Sequence, residues 1–258
     1  MAVKRKQTRP EIALRRLERV LHEAEGEMPR ALVRMPDDAV KETERIEESM
    51  RRLERLSWRE KFTMARDPKT DGYMLDMLSR DKDVVVRCNV ARNRNVSVEI
   101  LERLSRDKDA GVRYNVAGSR NVSVEILERL SRDEDASVRY NVAMNWNVSV
   151  EILERLSRDE DAGVRSGVVG NENVSVEMLE RLSRDKDAYV RREVAWNRNV
   201  SVEILERLSR DEDAGVRREV ARSENVSVEI LERLKNDSDK YVRNIAIKTL
   251  KKLKRSNC

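Results

Sequence analysis

Apolar positions return along the chain with two periods at once. A short period, of three to four residues, marks helices, and a long one, of 26 residues, marks copies of a unit. The stretch 95–120, NVSVEILERLSRDKDAGVRYNVAGSR, is followed directly by NVSVEILERLSRDEDASVRYNVAMNW. In the first copy Val98, Leu101 and Leu104 recur at three-residue spacing and predict one apolar helix face. Ser97 is a natural N-cap for that helix, and Glu99 and Glu102 suit its positive end. SRDKD then breaks it, and Asp109 can cap a second helix whose apolar stripe is Val112, Val116 and Ala117. Eight residues make about two turns, well short of the ~12–15 at which an isolated helix becomes marginal. Neither helix can stand alone, so the copies must stack and bury a shared core.

NVSVE begins at Asn95, Asn121, Asn147, Asn173, Asn199 and Asn225, and a worn copy begins at Lys69, giving seven repeats that start at 69, 95, 121, 147, 173, 199 and 225. Residues 60–68, EKFTMARDP, align with the second half of a repeat, with Phe62, Met64 and Ala65 at the positions of Tyr114, Val116 and Ala117. The predicted fold class is all-α, a quasi-one-dimensional solenoid of about seven two-helix repeats in which each copy touches mainly its neighbours. The expected organisation is an N-terminal helical cap over 1–58, the array over 59–250 and a basic C-terminal tail over 251–258. In the cap, 9–25 and 37–57 are amphipathic helical patterns separated by Pro29 and Pro36, and Ser57 with Glu60 makes a capping box. In the last copy YVRNIAIKTLKKLKRSNC lengthens the second helix and turns polar and basic.

The consensus NVSVEILERLSRDxDxxVRxxVAxN resembles the variant leucine-rich repeat family, a relative of the HEAT-like helical repeats, over about 59–250. The resemblance implies a right-handed superhelix in which an α-helix alternates with a second short helix, often 3₁₀. The chain departs from the family where Val-Ser-Val replaces a Pro-rich helix start. It also lacks the cysteine cluster that binds an iron–sulfur cluster in one member, so no such cluster is expected.

Positions that stay constant among the copies report shared local geometry. Asp109 and Arg113 have equivalents in every copy, an i,i+4 spacing at the start of the second helix; they are expected to build a ladder of caps and ion pairs between neighbouring repeats. Asn95 and its equivalents are expected to bond the inter-repeat turn through their side chains. The varied positions cluster on and just after the second helix. At one the copies read Cys88, Tyr114, Tyr140, Ser166, Arg192, Arg218 and Asn244; at the next, Asn89, Asn115, Asn141, Gly167, Glu193, Glu219 and Ile245. Gly118, Met144, Gly170, Trp196 and Arg222 share a third, Arg120 and Trp146 a fourth, and Tyr189 and Tyr241 a fifth. With only 3% aromatic residues in the chain, this concentration of Tyr and Trp on varied positions is not how a core is stocked. Tyr, Trp and Arg are the types enriched where protein interfaces are strongest. The candidate partner-binding residues are therefore Tyr114, Asn115, Tyr140, Asn141, Met144, Trp146, Tyr189, Arg192, Trp196, Arg218 and Arg222.

Charge changes that picture little. The net +5 resides at the ends: residues 1–68 hold 17 basic against 14 acidic side chains and 251–258 hold four basic, whereas 69–250 hold 33 against 35. The array is not basic as a whole, although the copy 69–94 has six basic against four acidic side chains. A cytoplasmic protein with reduced Cys88 and Cys258 is expected, since no apolar run approaches the roughly 20 residues of a membrane span and MAVKRKQTRP leads into no secretory signal. His22 is the only histidine, which leaves no support for Ser-His-Asp or Cys-His catalysis or for a His-based metal site. The expected function is a non-enzymatic protein- or peptide-binding scaffold with no cofactor and no metal. The alternatives left open are nucleic-acid recognition by the repeats and a recently amplified, consensus-like array with no selected ligand.

Overall fold

The computed structural model describes residues 48–49 and 51–256, and the chain divides into two compact units, Met1–Ile100 and Leu101–Cys258. Most of the expected cap over 1–58, His22 and Cys258 lie outside the described residues; at the cap's described end, 51–55 are helical. In the first unit follow α1 (Trp58–Arg66), α2 (Gly72–Leu78), α3 (Val84–Arg92) and the opening of α4 (Val98–Leu104). The second unit continues with α5 (Ala110–Ala117), α6 (Val124–Leu130), α7 (Ala136–Ala143), α8 (Val150–Leu156), α9 (Ala162–Val169) and α10 (Val176–Leu182). After these come α11 (Ala188–Trp196), α12 (Val202–Leu208), α13 (Ala214–Arg222), α14 (Val228–Leu234) and α15 (Lys240–Ser256). Every described element is helical, and helix pairs recur at the spacing of the sequence copies, the architecture of a repeat solenoid.

Local chemistry explains each short helix. Ser97, Ser123, Ser149, Ser175, Ser201 and Ser227 each accept through Oγ from the backbone N–H three residues on, which caps the first helix of their repeat. Asp135 likewise accepts from Ser137 N and Asp187 from Tyr189 N at the start of α7 and α11. Ser57 and Glu60 form the expected capping box at α1. The second helices up to α13 are α-helices of eight or nine residues, and α15 runs to 17; where the resemblance implies a second helix that is often 3₁₀, Asp caps and an i,i+4 apolar stripe stabilise α geometry over two full turns.

In the second unit the second helices pack directly on one another in order, α5 on α7, α7 on α9, α9 on α11, α11 on α13 and α13 on α15, while each first helix touches the second helices that flank it in sequence. Val112, Val116 and Ala117 and their counterparts in α7 to α13 are buried along that row, whereas Ile247 of α15, at the Ala117 position, is 39% exposed. On the first helices the core is made by Ile100, Leu101 and Leu104, with Val96 from the preceding turn; Val98, expected on the apolar face, is 45% exposed. Residues 98 and 104 are six positions apart, about 240° around a helix, whereas 100, 101 and 104 fall within one arc.

The constant Asp and Arg do form an inter-repeat ladder, but not as i,i+4 pairs. Asp109 is spent capping Gly111 N, and Arg113 reaches Asp133 in the next copy, with Nε–Oδ2 at 2.6 Å and Nη2–Oδ1 at 2.8 Å. Arg139–Asp159, Arg165–Asp185, Arg191–Asp211 and Arg217–Asp237 repeat the fork. The Arg Nη1 also bonds carbonyls of its own loop, as Arg165 does with Asp159 and Glu160. In the first unit Lys61 occupies the Arg position and pairs with Asp81 at 2.9 Å, so α1 is the half repeat its sequence suggests, and it packs on α3. Asparagines tie the turns together as expected: Asn95 Nδ2 bonds Thr70 O, and Asn147 Nδ2 bonds Val122 O. A second row, Asn93, Asn145 and Asn171, lies buried and bonds the ends of the preceding second helix, Ala65 O, Ala117 O and Ala143 O.

Candidate functional site

The varied positions of the second unit fall on the row α5, α7, α9, α11 and α13, where the repeat offset sets equivalent residues side by side. They do not behave alike. Asn115 is buried and donates from Nδ2 to Gly111 O on its own helix at 2.6 Å. Asn141 donates to Tyr114 O in the preceding copy at 2.7 Å. Both amides are engaged in holding helices, so they are set back from any partner. Tyr114 and Tyr140 are half-buried. The Tyr140 ring leans onto the next copy, where a Cβ added to Gly167 would lie 3.0 Å from Cδ2. Gly167 thus admits the ring, and Ser166 beside it is buried as well.

Tyr189, one copy further, stands at the start of α11 with its backbone N–H held by Asp187 at 2.8 Å. Burial first, and then the nearby Tyr189, Tyr114 and Glu193, push the Tyr140 phenol up from its ordinary value. The structure therefore brings Tyr114 and Tyr189 into the neighbourhood of Tyr140, with Tyr140 on α7 and Tyr189 on α11 to either side of α9.

A second group on the same row is exposed: Met144, Trp146 and Trp196 lie at or just after the C-terminal ends of α7 and α11, and Tyr189 lies at the start of α11. Trp146 is 66% exposed, Trp196 62%, Tyr189 48% and Met144 43%. Their backbones are nonetheless fixed. Met144 is the C-cap of α7, and Trp146 O accepts from Asn173 Nδ2 at 3.2 Å. Trp196 ends α11, and the following Asn197 donates to Val169 O at 2.7 Å. Large indoles on an ordered backbone lose little conformational entropy when they are covered.

The arginines divide as well. Arg218 and Arg222 both pair with the one carboxylate of Glu219, at 3.3 and 3.0 Å. Arg192 lies across Gly215, whose Cβ, if present, would be 3.3 Å from Arg192 Cδ.

Two features escaped the sequence reading. Glu102, Glu128, Glu154, Glu180 and Glu206 each accept a fork from the Arg 27 residues on, Arg129 to Arg233, an outer ladder along the first helices. Its signal was present in the ERL of every copy from 95 onward, but only the offset between copies reveals the partner. The other is a cleft in the first unit, lined by Phe62, Arg66, Pro68, Val85, Asn89, Arg92 and Arg94. Among the described residues no group of three His, Cys, Asp or Glu side chains converges to hold a metal ion, and no helix is long and apolar enough to cross a membrane.

No protein-family model matches the chain, and neither does any curated protein sequence. Over 83% of its length the chain is similar to 84% of a solved structure described as a leucine-rich repeat variant with a novel repetitive protein structural motif, at 29% identity and a TM-score of 0.59. Crystal structures of two engineered proteins align with TM-scores of 0.43 and 0.30 at 17% and 19% identity. They cover 84% and 70% of this chain and 80% and 95% of their own. Likenesses that loose carry no argument.

Proposed function

From the premise that the chain is a helical repeat array of the leucine-rich repeat variant kind, we propose that it is a non-enzymatic cytoplasmic scaffold that binds a protein or peptide along the second-helix row of residues 101–258. The observation that carries this reading is the exposure of Met144, Trp146, Tyr189 and Trp196 on backbone that is already ordered. Single exposed apolar residues are ordinary, but four large ones on one varied row, in a chain this poor in aromatics, mark an interface. Trp146 and Trp196 are the anchors, with Tyr140 and Tyr189 on the helices to either side of α9. Arg192 supplies a cation beside it.

Nucleic-acid recognition is less well supported, because 69–250 carry 33 basic against 35 acidic side chains and Arg218 and Arg222 are already paired. Selection of displayed random peptides on the wild-type protein tests the proposal. Peptides enriched on wild type should lose binding at least tenfold on Trp146→Ala/Trp196→Ala, with the melting temperature unchanged. Equal retention by both proteins overturns the aromatic row as the interface. Failure to enrich any peptide, with salt-sensitive capture of an oligonucleotide, transfers the function to nucleic acid.

A further inference from the structure

Within the second unit a second helix turns one side to the copy before it and another to the copy after it. Contacts identify the forward side: Arg113 forks to Asp133, the Tyr140 ring and Ala143 Cβ lie against Gly167, and Met144 Sδ lies 3.3 Å from where a Cβ on Gly170 would stand. In α15 the same four positions are Arg243, Asn244, Ile247 and Lys248. Other sides of α15 pack on α13 and α14, and among the described residues no helix stacks on the forward one. Ala117, Ala143, Val169, Ala195 and Ala221 are buried under a following helix, whereas Ile247 and its neighbours Asn244 and Lys248 are exposed.

The rung at this end is open as well. Arg113, Arg139, Arg165, Arg191 and Arg217 each fork through Nε and Nη2 onto an Asp of the next copy. Arg243 keeps the Nη1 bonds to its own loop, to Asp237 O at 2.6 Å and Ser238 O at 2.9 Å, so it is held as the others are. Its Nε and Nη2 meet no acceptor among the described residues. Acids nearest in sequence are engaged: Asp237 takes Arg217, Asp239 caps the N–H groups of Tyr241 and Val242, and Glu232 takes Lys235 and Lys254. Asn244, Ile247, Lys248 and Lys251 share one stripe by their i, i+3, i+4, i+7 spacing, and α15 has seven Lys and Arg but no Asp or Glu. The helix dipole accounts for cations in the last turn only, and Lys248 and Lys251 precede it.

We propose that this end face docks an acidic amphipathic helix of a partner protein, seated as a further copy would be. One carboxylate enters the Arg243 fork, an apolar side chain covers Ile247, and further acids face Lys248 and Lys251. A bidentate Arg–carboxylate pair is short and directional, which sets the register of the docked helix. Another copy of this chain stacked head to tail does not fit, because its half repeat α1 would bring Arg55, at the position of Asp107 and Asp133, onto Arg243. A phosphate track gains nothing from Ile247 in the middle of the stripe. A membrane calls for a broad apolar face, and that of α15, Val242, Ala246 and Leu250, is turned inward.

Fluorescence anisotropy on the full chain tests this with a labelled peptide of about 20 residues, long enough to be helical alone, that carries Glu, Leu and Glu on one face. Its Gln and Lys counterparts, an oligothymidylate and phosphatidylserine vesicles are the other probes. The Glu peptide should bind, and the Gln peptide at least tenfold more weakly. Lys248→Glu/Lys251→Glu should reverse the preference and admit the Lys peptide, a gain that a failure to fold cannot imitate. Arg243→Lys should weaken the Glu peptide severalfold, since Lys keeps the charge and loses the fork. In wild type the Ile247 methyl resonances should shift when the Glu peptide is added. Trp146→Ala/Trp196→Ala should leave this binding unchanged, which separates the end face from the aromatic row. Equal binding of the Glu and Gln peptides, shifts that leave Ile247 untouched, tighter capture of the oligothymidylate or the vesicles, or a self-association in sedimentation that Lys248→Glu/Lys251→Glu dissolves would each overturn the assignment.

Discussion

Arg165 lies between two copies with its side chain 6% exposed and that of its partner Asp185 8% exposed, and it satisfies two carbonyls as well as the carboxylate. Removing it strands a nearly buried charge and two acceptors at once. Breaking such a pair costs on the order of 3 kcal/mol, whereas replacing the pair by apolar groups can be neutral. Arg165→Ala should therefore lower the melting temperature far more than Arg192→Ala, which removes a half-buried side chain packed on Gly215. Thermal denaturation of the two proteins gives the order. The same carboxylates set the response to acid. Burial alone would raise the carboxyls of Asp185 and Asp211, but the Arg165 and Arg191 guanidiniums and the Asp187 and Asp213 N–H groups outweigh it and hold both below the ordinary range. Groups with lowered values stabilise the fold fully above the ordinary carboxylate pKa and lose that contribution as pH falls through the folded-state value. Melting temperature should be flat near neutrality and drop below about pH 4, and Arg165→Ala should show a shallower drop than wild type.

Helices of seven residues depend on their ends more than on their middles. Ser175 Oγ accepts from Met178 N at 3.2 Å at the start of α10, and Ser175→Ala should cost about 1 kcal/mol, read from urea denaturation. The buried asparagine row offers a gain at the same scale. Asn171 Nδ2 bonds Ala143 O at 2.6 Å and Asn145 O at 3.0 Å, but the equivalent residue at the end of α13 is Ser223. A serine is too short to span to the preceding copy, so Ser223→Asn should reach Ala195 O and Asn197 O and add roughly 0.5–1.5 kcal/mol. An unchanged or lower midpoint in urea would show that the turn after α13 cannot admit the longer amide. In α15 the corresponding bond is supplied by Thr249, whose Oγ1 donates to Ala221 O at 2.8 Å.

Across the second unit each copy meets its neighbours through the same rungs, and this makes the period itself a unit of stability. Deleting 121–146 should bring Arg113 to Asp159 and Arg155 to Glu102, so that every rung re-forms and the protein stays helical with a cooperative melt. Deleting 121–133 removes half a period with α6, sets the second helix α7 where a first helix belongs, and should abolish the cooperative transition. Far-ultraviolet circular dichroism with thermal melts separates the two deletions. Equal tolerance of both would mean that the copies do not depend on their neighbours.

The 26-residue period, the helix pair in each copy, the Ser and Asp caps, and the buried Val112, Val116 and Ala117 could all be read from the sequence. Each is written within a window of one repeat, and a helix face or a cap needs no information from further away. The partner of Arg113 could not be read in this way: the nearest acid in sequence, Asp109, is taken by the helix N-terminus, and the offset between stacked copies hands the guanidinium to Asp133. The same offset turned Asn141 toward Tyr114 O, laid Tyr140 over Gly167, and left Val98 in solvent while Ile100 filled the core. It also placed Phe62, Arg66 and Arg92 around one cleft. Local pattern determines which helices form, but side-chain volumes along the second-helix row determine how far one copy slides and turns on the next. Every contact between residues 20 to 28 positions apart follows from that packing.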